Sequence, residues 1–188
     1  RTFHKRYFSM IKGVKVGLRA PEKEDLKLLK DWRNNVDFRK HFREVRELSV
    51  ADQENWFISL QNSRQINFMF VIVDVETNEA IGAAGLLYVN WVIRSADFSF
   101  YIGKNEIYVD DKEVSSEAAK LLIDYGFNNL NLNKIWMELY EFDKRKIDFF
   151  TNKFNFHQDG LLRQNCFEEG RYWDSYILSL LKNEHIKH

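Results

Sequence analysis

The chain has 188 residues, 45% of them hydrophobic and 15% aromatic, and its 28 basic side chains balance its 28 acidic ones. That composition fits one domain with a well-filled core and excludes an intrinsically disordered chain. Zero net charge gives no global reason to expect a nucleic-acid or lipid surface, and the lone Cys166 cannot close an internal disulfide, which suits a reducing cytoplasm.

The basic residues 1–6 lead into no long apolar stretch, so no secretory leader is expected. Met10 is a candidate native start, with the residues before it an extension, and by element order residues 1–13 are expected to be an N-terminal extension and 14–184 a single domain. The longest apolar run, near 68–75, is strand-sized and too short to span a membrane. Eight glycines and one proline leave no flexible linker.

Residues 14–19 alternate apolar and polar and predict a first strand. Pro21 opens a helical stretch with Leu26, Leu28, Leu29 and Trp32 near helical spacing. A short helix is predicted over 37–42. Ser49 with Asp52 three residues on predicts a capped start for the helix that carries Trp56, Phe57 and Leu60. Strands follow at 68–74, 81–89 and 96–103, the first two joined by the turn-forming residues 76–79. Residues 116–128 form the clearest amphipathic helix, with Ala119, Leu122, Ile123 and Phe127 on one face. A strand at 135–140, a helix at 144–153 and a hairpin over 154–181, turning at Glu168-Glu169-Gly170, complete the order. This predicts a mixed, mostly antiparallel central sheet flanked by helices, and neither a doubly wound dinucleotide fold nor a barrel.

Four segments carry a resemblance. Asp31-Trp32-Arg33-Asn34 with Gln53-Glu54-Asn55-Trp56-Phe57 resembles a "W-R-N … W-F" opening. Leu130-Asn131-Leu132-Asn133-Lys134-Ile135 matches "L-x-L-x-K-I" before a fifth strand. Residues 139–150 are similar to "V-x-x-x-N-x-x-A-I-x-x-Y", leading to Asn152-Lys153-Phe154-Asn155-Phe156 in place of "K-x-G-F". Residues 115–127 resemble the helix that binds the CoA pyrophosphate. In this order they resemble the GNAT superfamily of N-acetyltransferases, closest in look to the branch that acylates amino-sugar nucleotides, ribosomal-protein N-termini and polyamines.

The resemblance implies transfer of an acetyl or larger acyl group from acetyl-CoA or another acyl-CoA to a primary amine, with no metal. It places the pyrophosphate on backbone N–H groups at the start of the main helix, where amides and the helix dipole attract anions. The matching loop is Asp110-Asp111-Lys112-Glu113-Val114-Ser115, in which Asp110, Glu113 and Ser115 replace the usual Arg or Gln and two glycines. Lys112, Val114, Ser115 and Ser116 are the implied phosphate contacts, unless the loop is only an acid-capped helix start. Phe100, Tyr101 and Ile102 lie on the strand that pairs with the pantetheine, and a backbone N–H there would hold the oxyanion. Asp143 stands where an asparagine touches the CoA arm, and Phe150 stands where many members carry an acidic tyrosine. Tyr140 or a water then replaces that acid, or the thiolate leaves unassisted.

Asp97 and Glu138 are candidate bases, with an ordinary surface or hydrogen-bonded carboxylate as the alternative for each. Trp32, Arg33, Asn34 and Trp56, with Tyr88 and Trp91 on a hairpin, are candidate acceptor contacts, or core residues in the case of the two helical tryptophans. The five histidines have no metal-ligand spacing, and Cys166 reads as structural. The expected acceptor is a nucleotide-linked amino sugar. A polyamine, a protein N-terminus, or an inactive relative acting as a binding or regulatory module are the alternatives, and a homodimer is conceivable.

Overall fold

The computed structural model describes residues 10–110 and 113–185. Its frame is one eight-stranded sheet in the order β1-β2-β3-β4-β5-β6-β8-β7. The strands are β1 (Ile11–Lys12), β2 (Val16–Arg19), β3 (Phe68–Asp74), β4 (Ala80–Asn90), β5 (Ser95–Ile102), β6 (Lys134–Tyr140), β7 (His157–Glu168) and β8 (Arg171–Leu181). All neighbours run antiparallel except β5 and β6. The helices are α1 (Leu26–Asn34), α2 (Val36–Arg39), α3 (Val50–Asn62), α4 (Glu113–Asp124), α5 (Lys144–Phe154) and α6 (Lys182–His185). The mixed, mostly antiparallel sheet flanked by helices is the expected architecture, and none of the described helices is long and apolar enough to cross a membrane.

Local rules account for most elements. Ser49 and Asp52 form the reciprocal capping box at the start of α3, each side chain taking the other's backbone N–H. The buried face of α4 carries Ala119, Leu122 and Ile123, and Phe127 follows just beyond its end, all at most 1% exposed. Past Asp124 the helix widens into a π turn, Tyr125–Asn129, which seats Gly126 against Leu86 and Ile135. Sequence periodicity runs through that turn as if it were α-helix. The strand β1 and the short α6 were also not anticipated, because two- and four-residue elements carry too little pattern.

The one parallel pair creates the opening that matters. β5 and β6 are registered at Ser95↔Lys134, Ala96↔Ile135 and Asp97↔Trp136, and the pairing stops there. Beyond Asp97, β5 stays on β4 while β6 stays on β8. The two strands therefore splay, and each leaves an edge facing a gap. α5 closes one side of that gap through a ring cluster of Phe149, Phe150 and Phe154 against Phe98, Phe100 and Phe156.

Candidate active site

Side-chain alternation along the splayed strands sorts their residues onto two faces. Phe98 and Phe100 point to α5, while Asp97 and Tyr101 point toward the helical layer of α1 and α2. On β6, Glu138 shares the face of Asp97, and one guanidinium holds both. Arg43 donates to Asp97 at 2.8 Å and lies 3.5 Å from Glu138. Glu138 also accepts from Ser175 at 2.8 Å and from Asn165 at 2.7 Å. Burial pushes the Asp97 carboxyl above its ordinary range, and Arg43 opposes that shift. The carboxylates open onto a cleft of about 350 Å³ that Arg33, Phe42, Trp56, Tyr88, Tyr101 and Tyr140 also line.

The residues expected to contact an acceptor divide. Arg33 lies over the Phe42 ring at 5.4 Å, and Trp56 and Tyr88 reach the cleft. Tyr88 is presented by a break in register between Leu87 and Asn90, with a left-handed backbone at φ 52°. Trp32 sits edge-on to Tyr101 and packs flat against Gly103, behind the cleft wall. Asn34 exchanges two hydrogen bonds of 2.8 Å with the backbone of Leu48 and so anchors the loop that carries Arg43. Trp91 donates its indole N–H to Gln65 at the far hairpin and does not line the cleft. Of the expected catalytic groups, Asp97, Glu138 and Tyr140 come together, and burial raises the Tyr140 phenol to about 12.

The expected donor-side residues sit on the open edge of β5 and at the start of α4. Ile102 is closed in both directions by Tyr108, whose N–H and carbonyl pair with it. The carbonyl of Phe100 accepts from Lys146 Nζ at 2.5 Å. By strand alternation the Phe100 N–H faces the same gap, where it can meet a carbonyl oxygen. At α4, Ser115 is fully buried and its hydroxyl accepts the Asp110 N–H at 3.2 Å, while Ser116 accepts from Lys153. Glu113 pairs with Lys15, and Glu117 gathers the N–H groups of Val14, Lys15 and Val16. Val114 is half-buried beside them, and Lys112 lies outside the described residues. Phe150 is the exception: fully buried in the ring cluster, it presents nothing to the gap.

A polar cluster at the start of α5 escaped the sequence reading. Asp143 caps α5, accepting the N–H of Lys146, and receives the Tyr108 hydroxyl at 2.5 Å. His41 stacks on Tyr108 with its Nδ1 3.4 Å from Asp143. Lys146, 7% exposed, lies 5.0 Å from the Tyr108 ring. Burial lowers its ammonium to about 8, against the opposing charges of Asp143 and Asp97. The signal was present in the pattern over 139–150, where the alanine position falls on Lys146. Arg43 gave no such signal, because its loop has no periodicity.

A family model described as an acetyltransferase (GNAT) domain matches residues 15–151. An uncharacterised N-acetyltransferase p20 of Bacillus licheniformis is 30% identical over 171 residues, 89% of this chain and 93% of the relative. A spermidine N(1)-acetyltransferase of Escherichia coli is 27% identical, covering 91% of this chain and 88% of the relative. The crystal structure of a spermidine N-acetyltransferase from Vibrio cholerae, in complex with CoA and spermine, superimposes with a TM-score of 0.83. It is 24% identical and the match covers 92% of this chain and 98% of that one, which establishes the fold. The two of these proteins that are named for an acceptor are named for polyamines, and the nucleotide-linked amino sugar expected above has no support among the three.

Proposed function

The chain belongs to the GNAT acetyltransferase family, and on that premise we propose that it moves an acetyl group from acetyl-CoA to a primary amine of a linear polyamine. One observation carries the acceptor assignment. Asp97 and Glu138 share a single guanidinium on a loop, so a cation already sits on the carboxylate pair at the mouth of the splay. An alkylammonium replaces Arg43 there without leaving either acid unpaired. The Phe42, Trp56 and Tyr101 rings supply apolar cover for a methylene chain. A nucleotide sugar would bring its own phosphates to this acid pair, and like charges repel.

In the reaction Asp97 receives the proton that the attacking amine must lose, a role its raised pKa favours. The Phe100 N–H stabilises the oxygen on which charge develops. Acetyl-CoA supplies the activated acyl group, and the chain's contribution is to align it with the amine. The test is thiol release from acetyl-CoA by the full chain with spermidine, spermine or a nucleotide-linked amino sugar. Turnover with the polyamines and none with the sugar is the expected result. Turnover with the sugar alone overturns the reading.

A further inference from the structure

α5 meets β5 at Phe100 twice, through Phe150 against its ring and, one turn earlier on the same face, through Lys146 on its carbonyl at the open edge. The ring at Phe150 has no proton to give and is sealed in the aromatic cluster. Lys146 is the group that reaches the gap, and its Nζ rests on the carbonyl of Phe100, the residue whose N–H serves the acyl oxygen. We infer that Lys146 is the catalytic acid of this chain, its ammonium donating a proton to the departing sulfur. This rests on the acetyl-transfer reading above and adds the residue that completes it.

The surroundings suit the role. The charges of Asp143 at the start of α5 and Asp97 on β5 favour the ammonium form, and the Phe100 carbonyl fixes its position. Tyr108 offers its ring face, His41 stacks on that ring, and in the free chain Arg43 pairs with Asp97 until the acceptor's ammonium takes its place. An ammonium has three N–H donors, and the Phe100 carbonyl takes one of them. An acid with a pKa near 8 is protonated at neutral pH and still gives its proton readily, whereas an ordinary lysine near 10.4 holds it more tightly.

The atoms balance. The acceptor ammonium first loses one proton to solvent, the lone pair this frees forms the new C–N bond, the C–S bond breaks, and its electron pair stays on sulfur. Sulfur takes a proton from Lys146 Nζ. The surplus proton of the amine passes to Asp97 and returns through solvent to Lys146. The net change is one alkylammonium and one thioester converted to one amide, one thiol and one proton released to solvent.

The test begins without turnover, with CoA bound to the full chain and its thiol titrated by thiolate ultraviolet absorbance. An adjacent ammonium lowers the bound thiol's pKa by about one unit or more, and Lys146→Met removes that shift while Lys146→Arg keeps it. In steady state, Lys146→Met is expected to lower kcat about a hundredfold or more without raising KM for acetyl-CoA. The alkaline limb of the wild-type kcat profile, near pH 8, disappears with it. Near-ultraviolet circular dichroism checks that each variant folds, and Lys146→Gln, which also removes the cation but keeps a polar end on the Phe100 carbonyl, stands in with the same expected losses if the Met variant does not. A bound thiol that titrates alike in wild type and Lys146→Met overturns the inference. So does Lys146→Met with unchanged or higher kcat, which makes the lysine only an obstruction in the slot. Propylamine as a generic acceptor separates the two readings. Lys146-dependent turnover with propylamine but none with spermidine supports the acid and fails the polyamine.

Discussion

The two ends of α5 meet the same strand in opposite ways. At its later turns Phe149, Phe150 and Phe154 interlock with Phe98, Phe100 and Phe156 through ring contacts of 5.0–6.4 Å. At its first turn the contacts are polar: a carboxylate that caps the helix and takes a phenol's hydroxyl, an ammonium on the Phe100 carbonyl, and an imidazole stacked on the phenol ring. The ring end secures the helix by area, which is non-directional and tolerant of detail. The polar end depends on each partner, because a buried polar group that loses its mate pays its whole desolvation cost. Stability is concentrated at one end of the helix and chemistry at the other.

The largest effect should therefore come from the ring end. Phe150→Ala removes a fully buried ring from a cluster that backbone-held neighbours cannot easily collapse into. The expected cost is about 3–5 kcal/mol of folding stability, read from urea unfolding midpoints. A loss below 1 kcal/mol, roughly that of a surface change, breaks the comparison, since the rings would then not be what seats the helix.

Asp97→Asn comes next and acts on rate. It keeps the shape beside Arg43 but removes the proton acceptor, so kcat with spermidine should fall about a hundredfold, about 2.7 kcal/mol. Thermal stability should change little, because burial already disfavours this carboxylate's charge. A fall in stability with kcat intact would make Asp97 a structural partner of Arg43 alone. Smaller again is Tyr108→Phe, which leaves the ring in place and deletes one donor to Asp143. The expected cost is about 1–3 kcal/mol, together with a change in the alkaline limb assigned to Lys146.

How much of this was legible in the sequence follows the same division. The ring end was legible. Apolar spacing over 144–153 and 98–102 predicts burial whatever the partner, and the order of elements with four local patterns was enough for the sheet and its family. Asp97 and Glu138 were legible as candidates but not as a pair, because a shift of one residue in strand register reverses the face. Only the β5–β6 register at Asp97↔Trp136 puts them together. Phe150 was placed at the cofactor by alignment to a pattern, and packing took it into the core instead. Arg43, His41 and Tyr108 lie in loops, where no period exists to say what they face. Lys146 was visible as a lysine at a small-residue position, but its meaning required the Phe100 carbonyl beside it.

The smallest expected effect concerns His41, and it tests whether the polar end behaves as one unit. Burial is the main force on this imidazole and lowers its pKa, while Asp143 opposes that and Lys146, Lys40 and Arg145 add to it. A histidine whose folded pKa lies below its unfolded value near 6.5 takes up a proton first in the unfolded chain. Its contribution to stability is therefore full above pH 6.5 and is lost as the pH falls through the interval beneath it. Urea midpoints should decline over that interval in the wild type, and His41→Phe, which keeps a ring on Tyr108, should flatten the decline. A decline unchanged in His41→Phe would belong to the carboxylates instead. Lys146→Met then completes the argument. Losing the Lys146 charge removes one of the forces that depress the imidazole, so the same decline should become shallower with His41 still present. Two substitutions on different elements would then alter one titration in the same direction, which independent groups do not do.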